Sequence, residues 1–201
     1  MLETNEQRPL QALLVGISEN DPVQSEASLR ELKTLIENLG WQSAGSVMVK
    51  LRQKTPDLFI GSGKAAEIAA QAKDLGAGII VFDIELSPTH QRNWEALAGL
   101  PVADRPGIII DIFASRAQTK EAQLQVELAE LEYQLPRLQS SYTNLSMARQ
   151  RGGAYGTRGG GETKLELDRR SIKDRIARLQ DELEVVEGQR ATLRKQRRDQ
   201  S

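Results

Sequence analysis

The sequence predicts an α/β domain over residues 1–116, a small, mostly parallel sheet with helical cover, followed over 117–201 by a long antiparallel coiled-coil hairpin. Three observations carry this reading. In the first part short apolar runs alternate with stretches of helical periodicity, the pattern of strands joined by crossover helices. Leucines then recur at steps of three and four, giving apolar stripes too narrow for helices buried on all sides. Between two such heptads lies a glycine- and arginine-rich loop, residues 137–162, too long for a tight turn.

Ala12 to Ile17 is an unbroken apolar run and reads as a strand. Asp21-Pro22 supplies a capping carboxylate and a proline suited to the first helical position. Leu29, Leu32, Leu35, Ile36 and Leu39 then mark one helix face, and Gly40 stops it. Further strands are expected at Ser46 to Leu51, Leu58 to Ile60, Gly78 to Phe82 and Pro101 to Ala103. Helices are expected from Lys64 to Leu75 and, opened by Ser87-Pro88, from Pro88 to Leu97. Ile108 to Ile110 would suit a strand, but Ile112, Phe113 and Ala117 continue the run at helical spacing, so it reads as a helix.

Leu124, Leu128, Leu131 and Leu135 form the first heptad, ended by Pro136. Ile172, Ile176, Leu179, Leu183 and Val186 begin the second, which skips Arg190 and resumes at Leu193. Thr163 and Glu166 have the spacing of a capping box, which places the second helix from Lys164 to Arg198, about 52 Å against about 28 Å for the first.

Composition removes several chemistries. With no cysteine and one histidine, His90, there is no disulfide framework, thiolate nucleophile or Cys/His zinc cage. No apolar run reaches the length of a membrane span and the polar first eight residues do not resemble a signal peptide, so a cytoplasmic protein is expected; it is separately expected to be a monomer. Charge is divided: residues 1–116 hold 11 basic and 15 acidic side chains, a net −4, and residues 117–201 hold 16 and 13, a net +3.

The glycine/arginine loop carries the strongest functional signal. Arg137, Arg149, Arg151 and Arg158 are accompanied by no acid before Glu162, and Gly152, Gly153, Gly159, Gly160 and Gly161 allow backbone amides close to phosphates. Tyr155 offers a face to an unstacked base. RNA contact is the functional reading; a solvated linker is the alternative. Gly61-Ser62-Gly63-Lys64 resembles a phosphate loop, with Gly61, Gly63 and Lys64 as candidate nucleotide contacts. It is not a Walker A motif, since Leu58 stands where the first glycine belongs and Ala65 where the Mg²⁺-binding hydroxyl belongs; a tight strand-to-helix turn is the plainer account. Asp83 and Glu85 follow a strand, where metal or acid–base chemistry could sit, but carboxylates that cap the next helix or are simply solvated are the plainer account.

Several longer motifs occur together: Ile60-Gly61-Ser62-Gly63-Lys64 with Glu67, Phe82-Asp83 with Glu85-Leu86-Ser87-Pro88 and Gln91-Arg92-Asn93, and Asp104-Arg105 with Asp111-Ile112-Phe113-Ala114. Gln125 to Ala129, Leu135 to Leu138, and Gly159-Gly160-Gly161-Glu162-Thr163-Lys164-Leu165-Glu166 with Asp168-Arg169-Arg170 follow in order. Together they resemble the N-terminal region of the HflX family of ribosome-associated GTPases, over nearly all of Leu10 to Arg198. The resemblance implies docking on the large ribosomal subunit, rRNA contact by the loop, and ribosome splitting or rescue. It also implies a P-loop GTPase domain, using GTP and Mg²⁺, whose motifs are missing from this sequence; no GTP hydrolysis is expected of this chain alone. The rival readings are an ATP-binding or ATPase domain using Gly61 to Lys64, and a passive coiled-coil adaptor.

Overall fold

The computed structural model describes residues 9–19, 21–138 and 160–199. They form β1 (Gln11–Ser18), α1 (Pro22–Asn38), β2 (Gln42–Lys50), α2 (Ser62–Asp74), β3 (Ile79–Phe82), α3 (Pro88–Ala98), β4 (Val102–Asp104), α4 (Arg105–Arg116), α5 (Lys120–Gln134), a 3₁₀ turn (Leu135–Arg137) and α6 (Gly160–Asp199). The chain divides into two compact units, Met1–Ile112 and Phe113–Ser201, and the division falls inside α4.

In the first unit four parallel strands lie in the order β2-β1-β3-β4. Ala12 to Val15 are all buried, as a central strand covered on both faces requires. Leu13, Val15, Ile80 and Phe82 face α2 and α3, meeting Ile68, Ala72, Trp94 and Ala98. Ala12, Leu14, Ile79 and Val81 face α1 and α4, meeting Leu32, Ile36 and Ile108. One sheet between two pairs of helices is the parallel α/β architecture expected.

Local signals explain the boundaries. The Asp21 carboxylate accepts the amides of Val23 and Gln24, and Ser87 Oγ accepts that of His90, closing the open donors at two helix starts. Gly99 ends α3 with φ of 68°, left-handed backbone that costs glycine little. The strand expected at Leu58 to Ile60 does not form. Pro56-Asp57 turns the chain, and Thr55 and Phe59 pair only with each other, as an isolated antiparallel bridge. Strand β2 starts earlier than expected, at Gln42, and a bulge at Ala44 restores its alternation.

In the second unit Leu124 and Leu179 are buried, and Leu165, Ile172, Ile176, Leu183 and Val186 are half-buried at heptad spacing. Arg175 Nε and Nη2 donate to the Glu127 carboxylate at 2.7 and 2.8 Å, and Arg190 pairs with Glu121. The bidentate bond from Arg175 holds the Glu127 carboxyl below the ordinary glutamate range. Helix α6 begins at Gly160, so Thr163 lies inside it and is not its cap. Among the described residues no helix is long and apolar enough to cross a membrane.

Candidate functional site

The carboxyl ends of β1 and β3, where the strand order reverses, are the usual ligand crevice of such a sheet. Here a polar network occupies that position. Arg105, the first residue of α4, donates from Nη1 to Asp83 Oδ1 at 2.7 Å and to Ser28 Oγ at 2.9 Å, and its Nη2 lies 2.6 Å from Glu31 Oε2. The Asp83 side chain is 5% exposed, that of Arg105 22%. Burial works against the Arg105 charge, but the hydrogen bonds to Glu31 and Asp83 outweigh it and hold the guanidinium above its ordinary value.

Asp104 is fully buried and accepts the amides of Leu86 and Gly107, so it fixes the loop before α3 and opens α4. The plainer expectation for Asp83, a helix cap or a solvated carboxylate, is corrected: its side chain is the buried partner of Arg105. Among the described residues no three His, Asp or Glu side chains converge on a metal-sized space. The chemistry of Asp104 and Arg105 is not evident from composition or periodicity; an Asp-Arg dipeptide directly after an apolar strand run is the signal that points to it.

The loop before α2 is held from α3. Asn93 Nδ2 donates to Asp57 O and Trp94 Nε1 to Leu58 O, each at 2.8 Å, while the His90 ring meets Phe59 edge-on, with ring centroids 5.6 Å apart. Phe59 has φ of 67°, a costly conformation for an aromatic residue, kept by the Thr55 bridge and by these contacts. Gly61 is the residue before α2, and Gly63 lies in its first turn. At neither glycine would a Cβ meet anything within 4 Å, and Gly61 has φ of −60°, so neither space nor backbone strain explains them. Lys64 Nζ bonds Glu67 at 2.7 Å. With Ala65 following, this loop does not fit Mg²⁺-nucleotide in the Walker manner, and no step is assigned to it.

Of the loop candidates, Arg137 lies in the 3₁₀ turn and not in a loop. Its guanidinium stacks 3.6 Å from the centre of the Tyr133 ring and donates to Tyr133 O at 2.9 Å. Gly160 and Gly161 belong to the first turn of α6, which shortens the expected loop at both ends. Arg149, Arg151, Gly152, Gly153, Tyr155, Arg158 and Gly159 lie outside the described residues.

Comparison with known proteins places these elements in a family. Residues 26–114 match the family model "GTP-binding GTPase N-terminal", and residues 116–197 match "GTP-binding GTPase Middle Region". The chain is 43% identical over 197 residues to GTPase HflX of Spirochaeta thermophila, covering 98% of this chain and 47% of that protein. It is 43% identical over 187 residues to GTPase HflX of Escherichia coli, covering 93% of this chain and 43% of that protein. It thus spans under half the length of these curated relatives. A GTP-binding protein from the archaeon Sulfolobus solfataricus, solved with GDP, shares the fold at a TM-score of 0.58 and 24% identity, over 89% of this chain and 46% of that one. The buried Asp83–Arg105 pair and the motifs before α2 and α3 are therefore features of a chain that belongs to the HflX GTPase family, matching its N-terminal and middle regions.

Proposed function

We propose that this chain is the ribosome-binding part of an HflX-type GTPase: it docks on the large ribosomal subunit and assists ribosome splitting or rescue by contact with rRNA. In this reading α5 and α6 form a long antiparallel coiled-coil hairpin. The ion pairs support it, because Glu121 and Glu127 meet Arg190 and Arg175 in reversed order along the chain. The segment that joins the two helices in sequence is the proposed contact. The observation that carries the functional reading is the charge of that segment: residues 139–159 hold Arg149, Arg151 and Arg158 and no acid. Together with Arg137, Tyr155 and the glycines 152, 153 and 159–161, they supply guanidinium donors for phosphates, a ring for an unstacked base, and backbone able to approach both. The action is steric and electrostatic, with no covalent step. GTP and Mg²⁺ are assigned to the family's GTP-binding domain, the expected partner in cis.

Each arginine that meets a phosphate should release counterions, so binding to purified large subunits weakens with salt, by a logarithmic slope of order −0.7 per contact on single-stranded RNA. Changing Arg149, Arg151 and Arg158 together to Ala should flatten that slope and leave the melting temperature in place. If the triple variant keeps the parent's affinity, slope and rRNA footprint, the segment is a linker and the proposal fails.

A further inference from the structure

The two edges of the sheet are not alike. At the β4 edge the outward backbone groups of Val102 are satisfied from α3: Gln91 Nε2 donates to Val102 O at 2.7 Å and the Glu95 carboxylate accepts from Val102 N–H. That edge is short and blocked. Among the described residues the β2 edge is open. Leu51 N–H donates to Ser18 O, and Ser18 pairs with Lys50, so the odd-numbered residues of β2 turn their backbone groups to β1. Ser46, Met48 and Lys50 therefore point three N–H and three C=O groups away from the sheet, and these have no partner among the described residues.

Beside this edge, between α1 and β2, runs a groove of about 610 Å³. Its floor is apolar, from Leu14, Leu29 and Met48. Its rim is Glu26, Arg30 and Lys33, spaced four and three apart on one face of α1, and the two cations have no carboxylate bound to them among the described residues. Free backbone groups in register, an apolar floor under alternate positions and a rim of net positive charge are the three parts of a strand-addition site.

We propose that the β2 edge binds an extended acidic peptide as a fifth strand. Its backbone pairs with Ser46, Met48 and Lys50, an apolar side chain enters the groove over Leu29 and Met48, and a carboxylate two residues away, on the same face of the added strand, meets Arg30 and Lys33. The surface lies on the first unit and does not depend on the rRNA contact proposed for the second.

The probe is a fluorescein-labelled ten-residue peptide, Val-Thr-Glu-Thr-Val-Thr-Glu-Thr-Val-Thr, which sets valine and glutamate in turn along one face of a strand, titrated into the 201-residue chain by anisotropy, with amide exchange read by NMR. Saturable binding should slow exchange at the Ser46, Met48 and Lys50 amides. A lysine-for-glutamate peptide should bind at least about tenfold more weakly, and a fully N-methylated one not at all. An Arg30→Glu/Lys33→Glu chain, altered at exposed positions, should reverse the charge preference. Failure of the acidic peptide to bind, equal binding of both peptides, or undiminished binding of the N-methylated one overturns the proposal. So does a concentration-dependent dimer protecting the same three amides without peptide, which would give the edge to a second copy.

Discussion

Arg105 joins three elements through one guanidinium: it starts α4, holds Asp83 at the end of β3 and reaches Ser28 and Glu31 on α1. A carboxylate 5% exposed cannot be left charged and alone without a large desolvation cost. Arg105→Ala should therefore cost about 2 kcal/mol, below the full value for a buried pair because the arginine is itself partly solvated. Adding Asp83→Asn to that variant should recover part of the loss, since the amide carries no charge to strand; urea titration of the parent, the two single variants and the double variant checks both statements. A network that is decorative would show additive, small effects. This site was only half legible. A carboxylate after a strand is visible in any α/β sequence, but whether it faces a ligand or a cation depends on a residue 22 positions later, and no local pattern reports that. Phe59 was hidden for a similar reason: its left-handed backbone is imposed by the Thr55 bridge and by α3, against the preference of an aromatic residue.

Elements with a strong period were easier to read than those without one. The α1 cap at Asp21, the α3 cap at Ser87 and the helical reading of Ile108 to Ile112 follow from side chains within one or two turns, and each is present. The β2 start and the absent strand at Leu58 to Ile60 were misread because both depend on contacts far along the chain, Gln42 N–H with Leu10 O and Trp94 Nε1 with Leu58 O. Helix α6 begins before Thr163 although glycines occupy its first positions, so intrinsic propensity was a poor guide there. In the second unit the proposed seam makes a graded prediction. Leu179 is fully buried and Leu128 only half-buried. Leu179→Ala should cost about 2–5 kcal/mol and Leu128→Ala clearly less. Equal losses in thermal melts followed by helicity would mean that the packing is not that of a seam.

At the scale of the whole chain, the division at Ile112 cuts α4, whose buried residues Ile108 and Ile112 cover Ala12, Leu14, Ile79 and Val81. A unit that folds by itself must keep that cover, because removing it exposes one face of a central strand and strands the Asp83 carboxylate without Arg105. We therefore propose Arg116, the end of α4, as the limit of the first domain, and predict that residues 1–116 fold alone while residues 1–104 do not. The shorter chain loses the last helix of one face, the first donor to Asp83 and the Gly107 amide that Asp104 accepts. Dispersed amide resonances and a cooperative melt for 1–116, against collapse of both in 1–104, are the expected results. A cooperative melt for 1–104 would show that α4 is an appendage, and the second domain would then have to begin at Arg105. The charge division sharpens the consequence for function. The first domain carries a net −4 and the remainder +3, so salt-dependent rRNA affinity should remain with residues 117–201 when the two are tested apart. Retention of the whole salt slope by 1–116 would move the RNA contact off the glycine/arginine segment and onto the α/β domain.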